Sequence, residues 1–428
     1  MKLRKIFALV VMLLVISIIG IVFASHAAEE KIVLKFLNRW PEPQNLPYFQ
    51  DVVKRFEDTH PNIKIDMESV GNEPIKDKLR IVVGGGTAPD MFYSWGGEFA
   101  KKFVRGGVVL DLTPYFNKFP DWKASFAPAS FENSTVDGRN YGVPMELMVK
   151  FIAYNTKIFD KYNINPPKTW DELLDICETL KNEGIIPIVF GNAEPWAAIH
   201  FITTFNQKIV PDEVRKKDYD PKTGEFTHPG YAKAFEYLKL LNDKGYFNEG
   251  VNTTSATMAN QLFWMERGAM AHLTMPYYRN QLEENLPGEW GTFPMPAIPE
   301  GEGNQNVITG APNIICISAK TKYPDEAVEF LRFLTNMENS EKFVKELGFA
   351  SSVMGANNEN TTTKQILEML DYVAKADGMA EWLDTAVEAR ITDQYLANAQ
   401  LVIDGSKTSE EAMKEIQKMA KLVKKEMQ

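Results

Sequence analysis

The sequence predicts an α/β protein built from two or three units, on three observations. Short β-branched runs alternate with helical periodicities along the first two thirds of the chain. At 428 residues it exceeds one simple domain, since domains run to roughly 100–200 residues. Its composition, 44% hydrophobic and 24% charged, is that of a soluble globular chain with a core of ordinary size. The same figures exclude collagen-like, low-complexity and polytopic membrane classes.

Lys2, Arg4 and Lys5 precede an apolar run from Ile6 to Ala24, and small residues follow in Ala24-Ser25-His26-Ala27-Ala28. This reads as a secretory signal cut after Ala27, residues 1–27. The competing reading is an uncleaved anchor, because the run nearly suffices to span a bilayer. No cysteine lies here, so lipid attachment at a lipobox is excluded. The expected location is periplasmic, or extracellular and membrane-associated.

Ile32 to Leu37 reads as a strand, and Phe49, Val52, Val53 and Phe56 as a helix. Ile63, Ile65 and Met67 alternate with polar residues as a second strand. Leu79, Ile81, Val82 and Val83 form a helix ended by Gly84-Gly85-Gly86, and Asp90 to Tyr93 is a short strand. This alternation predicts a mainly parallel sheet with covered faces. Lys150–Tyr154 is the next strand. Thr169 and Glu172 form a capping box ahead of a helix, and Ile185–Phe190 is a buried strand. Helices are expected around 195–206, 230–243 and 255–267, with a strand over 269–274. Pro324 opens another helix. A long one is expected through Trp382, Ala386, Val387, Tyr395, Ala399 and Val402, stopped by Gly405, and Thr408 with Glu411 caps a terminal helix.

Catalytic patterns are missing. There is no G-x-S-x-G or H-E-x-x-H, and the five histidines are scattered, so neither an enzyme nor a metal site is expected and no cofactor is implied. Gly84-Gly85-Gly86-Thr87 lacks the Lys of a phosphate loop and reads as a helix stop. Cys177 and Cys316 read as buried small hydrophobes. With 47 basic and 57 acidic residues, net −10, the chain lacks the basic surface that nucleic acid requires.

Polar and aromatic residues gather just after strands: Asn38-Arg39-Trp40-Pro41-Glu42, Ser94-Trp95, Asn192 to Trp196, and Met275-Pro276-Tyr277-Tyr278-Arg279. Ligands of open α/β sheets bind outside the carboxyl ends of strands. Aromatic faces pack on the CH faces of pyranose rings, and sugar hydroxyls need donors and acceptors together. The mixture therefore suits a sugar.

At these residues the chain resembles the solute-binding proteins of ABC importers, the family that includes maltose-binding protein. Six segments in order carry the resemblance: Thr87-Ala88-Pro89-Asp90-Met91, Tyr141-Gly142-Val143-Pro144 with Tyr154-Asn155, Pro166 to Leu173, Phe263 to Ala271, Lys322 to Leu331, and Asp404-Gly405 with Glu410-Glu411-Ala412. Departures are Thr274-Met275-Pro276-Tyr277, where many members carry G-x-W, and Gly348 to Ser352, where many have a proline. The resemblance implies a two-lobed periplasmic-binding-protein type II fold with the ligand in the interlobe cleft. Crossovers fall near Gly142–Pro144, Thr309–Ala311 and Gly348–Ser352. The lobes are then 28–142 plus 311–348 and 143–310 plus 349–428.

The implied action is lobe closure on a ligand by a monomer that then docks on a membrane permease. Trp40, Trp95, Trp196 and Tyr277 (or Tyr278) are assigned to stacking on sugar rings. Arg39, Glu42, Asp90, Glu146 and Asn192 are assigned to hydroxyls. Glu146 has a competing role paired with Lys150, and Tyr395 is either a ligand contact or core. Other classes stay open: the same scaffold binding a polyamine, a glycerol phosphate or a peptide, or a secreted glycosidase. A phosphate would call on Arg39 and Arg279, a polyamine on Glu42, Asp90 and Trp95.

Overall fold

A computed structural model describes residues 31–427; the expected signal, 1–27, lies outside them. Strands β1 (Ile32–Asn38), β2 (Ile63–Ser69) and β3 (Met91–Trp95) open the described chain. A small hairpin, β4 (Thr135–Val136) and β5 (Arg139–Asn140), precedes the long β6 (Val143–Asn155). Then come β7 (Ile186–Val189), β8 (Gly268–Met275), β9 (Trp290–Phe293), β10 (Val307–Ile317), β11 (Ala350–Ser351) and β12 (Gly378–Ala380). The main sheet has the order β2-β1-β3-β10-β6-β8-β7, with β9 and β11 pairing β6 and β12 pairing β10.

β1 is parallel to β2 and β3, and β7 is parallel to β8. β10 is antiparallel to β3 and β6, and β6 is antiparallel to β8. The sheet is therefore mixed, which corrects the expectation of a mainly parallel one. The cause is the pair of crossing strands, of 13 and 11 residues, long enough to reach on the order of 40 Å and serve both halves of the molecule.

Packing divides along those two strands. One core gathers Leu34 and Phe36 of β1, Phe49 and Phe56 of the helix Leu46–Thr59, Val143 and Met145 of β6, Ile314–Ile317 of β10, and Phe330. A second holds Ile152 of β6 with the helices Trp170–Asn182, Trp196–Ile209, Gly230–Asp243, Ala389–Ile403 and Ser409–Met427. Val149, Leu273 and Ile308 form a further cluster beside it. Each of β6 and β10 thus starts in one lobe and ends in the other. Phe349, Val353 and Ala356 pack in the first core, although the expected boundary at 348 assigns them to the second lobe. They are held there because β11 pairs with Leu147 and Glu146 and Val353 bridges to Phe126.

Local chemistry accounts for several element ends. Thr169 and Glu172 form both bonds of their capping box, as do Thr408 and Glu411. Gly86 takes φ +73° just past the helix Asn72–Gly84, and Gly405 φ +81° past Ala389–Ile403, a conformation glycine adopts without Cβ strain. The expected long helix from Trp382 to Val402 is instead broken: Leu383–Ala386 is a single turn, and Glu388 caps a new helix by accepting from the Arg390 amide. Cys177 and Cys316 are both buried, one in each main core.

Candidate ligand-binding site

Between the lobes lies a cleft open to solvent, with a water-accessible volume of about 170 Å³. Its walls come from strand ends, as the carboxyl-end rule requires. β1 leads into Arg39, β3 ends at Trp95, and β8 supplies Thr274 and leads into Tyr277 and Tyr278. The loop after β7 leads to Trp196 at the start of its helix, which also supplies His200. The crossing strands contribute Met148 and Asn313 to the floor.

Of the residues assigned from sequence, Arg39, Trp95, Trp196, Tyr277 and Tyr278 line this cleft. The others do not. Trp40 is 1% exposed, stacked on Phe49 with ring centroids 4.7 Å apart and edge-on to Tyr93; it is core. Asp90 precedes β3 and so sits at the wrong end of the strand, accepting from the Lys35 amide at 2.8 Å and the Thr321 hydroxyl at 2.6 Å. Asn192 is buried and holds its own loop, donating to Asn252 at 2.8 Å and accepting from the Ala198 amide at 3.1 Å. Tyr395 is fully buried and stacks on Phe235. Glu42 lies outside the lining, accepting from Asn45 at 3.3 Å. Arg279 is tied to the carbonyls of Thr361 and Lys345, so it serves the fold.

Glu146 lies beneath the floor. It accepts from Asn313 Nδ2 at 2.8 Å and from the Tyr93 hydroxyl at 3.1 Å, and its Oε1 is 3.7 Å from Arg39 Nε. The alternative partner, Lys150, is not used; that ammonium donates to the His272 carbonyl at 3.0 Å. Arg39 also donates to Asn72 Oδ1 at 2.7 Å and lies over the rings of Trp40, Tyr93 and Tyr277. Burial opposes its charge, but Tyr93, Glu146, Tyr277 and Glu42 outweigh that, and its pKa is raised. Burial raises the Glu146 carboxyl, against the pull of Arg39, Asn313 and Tyr93.

Sequence reasoning missed Asn72, Lys76, Met148, His200, Thr274, Asn313, Trp382, Asp384 and Thr385. Trp382 falls on the apolar spacing of the expected long helix; the break after it turns the indole to the cleft, with its ring 4.5 Å from His200 and His200 5.1 Å from Trp196. Lys76 stands 5.1 Å from the Trp95 ring and 3.2 Å from Asp384, an ion pair between a helix of the first core and a turn of the second. Among the described residues, no group of three or more His, Cys, Asp or Glu is placed to hold a metal. No described helix is long and apolar enough to cross a membrane.

A two-lobed sheet sharing its crossing strands, with an aromatic cleft at their junction, defines a solute-binding protein. The chain belongs to the bacterial extracellular solute-binding protein family, whose pattern matches residues 40–341. It is 30% identical over 320 residues to an uncharacterised ABC transporter extracellular-binding protein of Pyrococcus horikoshii, spanning 72% of this chain and 69% of that one. A multiple sugar-binding protein of Streptococcus mutans is 24% identical over 368 residues, 82% of each chain. A solved chitin oligosaccharide binding protein shares the fold with a TM-score of 0.84 at 23% identity, over 92% of this chain and 99% of that one.

Proposed function

We propose that the protein captures an oligosaccharide by closing its lobes and delivers it to the membrane permease of an importer. It acts outside the cytoplasmic membrane, as a monomer, and catalyses no reaction. The observation that carries this reading is the set of rings facing one cleft from both sides: Trp95 and Tyr277, which pack on the first core, and Trp196, which packs on the second, with Trp382 between them. Asn72, Thr274, Asn313 and Asp384 stand among these rings. Flat apolar platforms interleaved with hydrogen-bond donors and acceptors match the alternating CH faces and hydroxyls of linked pyranoses. The similarity to the Streptococcus mutans multiple sugar-binding protein and to the chitin oligosaccharide binding protein supports the same class. A polyamine is disfavoured, because Glu42 and Asp90 are not in the lining and the cleft's carboxylate, Asp384, already faces Lys76.

The test is a thermal-shift screen against mono- and oligosaccharides, with polyamines and phosphate esters alongside. A ligand at 100 times its Kd that binds only the folded state adds ~2.7 kcal/mol, enough to raise Tm by at least about a degree. A rise confined to a polyamine or phosphate ester overturns the sugar reading. With a ligand in hand, Trp196→Ala weakens binding more than about tenfold, ~1.4 kcal/mol, while the unfolding midpoint stays within a degree or so of the parent.

A further inference from the structure

Behind Trp196, Thr274 and Tyr278 lies a second, narrow pocket, whose water-accessible volume is about 30 Å³. Those three residues line both spaces, so the pocket adjoins the cleft on its second-lobe side. Its lining includes Lys150, His272 and Asn260 but no Asp or Glu.

Lys150 comes from β6, in register with Thr274 of β8. It is 6% exposed. Its ammonium donates to the His272 carbonyl, and it stands 6.0 Å from the Trp196 ring centroid. An ammonium has three donors, and among the described residues no carboxylate forms an ion pair with it. Both ring nitrogens of His272, and Nδ1 of His200, are buried without a hydrogen-bond partner. The helix Trp196–Ile209 begins at the rim, adding the positive end of its dipole. Buried lysines are rare unless paired, and an unsatisfied buried charge is costly. Here two basic side chains, Lys150 and His272, line one cavity whose walls hold no Asp or Glu, with His200 next to it on the wall of the main cleft.

We propose that this pocket receives the carboxylate of an acidic sugar, making the ligand an oligosaccharide that contains a uronic acid. The inference rests on the oligosaccharide reading of the cleft. One carboxylate oxygen meets the Lys150 ammonium; the other accepts from a ring N–H of His272. A phosphate ester, with three terminal oxygens and up to two charges, calls for more donors than one ammonium and one imidazole supply.

Protonation follows from the same geometry. Burial pushes the Lys150 ammonium down to about 7. Burial, then the Lys150 charge, holds His272 and His200 well below their ordinary range. The groups facing Lys150 are His200 and Trp196 from their helix, His272 from β8, and Tyr278 and Asn260; Lys76 acts on His200 as well. A bound carboxylate favours the charged ammonium, so binding near pH 7.5 takes up a fraction of a proton.

The experiment is titration calorimetry on the purified protein with oligogalacturonides of two to four units and with their carboxyl-reduced, neutral counterparts. Two buffers of different ionisation enthalpy report the proton uptake. The parent protein is expected to prefer the acidic ligands by at least about tenfold with net uptake, and Lys150→Met to lose both the preference and the uptake. Retained binding of the neutral ligand by Lys150→Met shows that the variant is folded; if it binds neither form, Lys150→Gln is titrated in its place. Tight binding of neutral oligosaccharides with no preference for the acidic ones overturns this inference and leaves the oligosaccharide reading standing. A preference that survives Lys150→Met or Lys150→Gln also overturns it. Failure of every sugar, acidic and neutral, overturns both.

Discussion

Two buried cations flank the cleft, and the fold treats them in opposite ways. Arg39, on the first lobe, is enclosed by partners: Asn72, Glu146 and three aromatic rings. Lys150, from the half of β6 that enters the second lobe, has one carbonyl and unpartnered histidines. Both are less than 10% exposed, so burial is not what separates them. The difference is compensation. A paired buried charge fixes structure, because removing one partner strands the other; an unpaired one is paid for in stability and stays available to a ligand.

The sharpest way to break this comparison is to make Arg39 resemble Lys150. Glu146→Leu removes the carboxylate, leaving the guanidinium without its ion-pair partner and Tyr93 and Asn313 without their acceptor. Stranding a buried charge costs about 3–5 kcal/mol, and a loss of that size is expected in urea unfolding at neutral pH. A loss below about 1 kcal/mol would mean that Asn72 and the rings hold Arg39 without the carboxylate, and the contrast between the two sides would dissolve.

Lys150→Met tests the other side through pH. The folded ammonium, at about 7, lies below its ordinary value near 10.4. Between those values the unfolded chain binds the proton and the folded one does not, so folded stability rises with pH across that window. Below about 7 both states are protonated and the folded state carries the whole desolvation cost, up to about 5 kcal/mol at about 1.36 kcal/mol per unit. The methionine variant lacks this term. It is expected to exceed the parent in stability most at pH 6, with the gap closing toward pH 10, as read by urea titrations at the two ends. A gap constant with pH would make Lys150 an ordinary solvated lysine.

Much of this was legible in the sequence, because strand patterns and cap chemistry are local. The carboxyl-end rule located the four loops, and Arg39, Trp95, Trp196, Tyr277 and Tyr278 all reach the cleft from them. It could not say which side chain of a loop points in: Trp40 turns into a nest of phenylalanines while its neighbour Arg39 turns out. Asp90 was misplaced because a residue before a strand and one after it sit at opposite ends. Met148, Asn313 and Trp382 were missed because they meet only in the tertiary structure, from β6, β10 and a helix break that the apolar spacing of 382–402 disguised. Lys150 was legible only as a strand residue and a possible partner of Glu146; its place in a pocket depends on β8 and the helix Trp196–Ile209, which come together only in the fold.

A smaller effect is expected where the two sides meet. Gly97 begins a helix of the first lobe at φ +67°, and a Cβ there would come within 3.0 Å of the Thr385 carbonyl and 3.3 Å of Ala386 Cα, backbone that belongs to the turn carrying Trp382 and Asp384. Gly97→Ala bears two costs. The left-handed backbone costs about 1–2 kcal/mol for a residue with a Cβ, in any arrangement of the lobes. The contact with 385–386 arises only when that turn is docked. If ligand is held with the lobes in this arrangement, affinity falls several-fold beyond what the loss of fold stability explains, because the bound form alone bears the second cost. Paired measurements decide it: urea unfolding of the unliganded variant for the first cost, calorimetry for the second. Unchanged affinity with the expected drop in stability would show that the ligand-bound protein does not press this turn against Gly97, and that the Arg39 and Lys150 sides act on ligand without the turn between them closing.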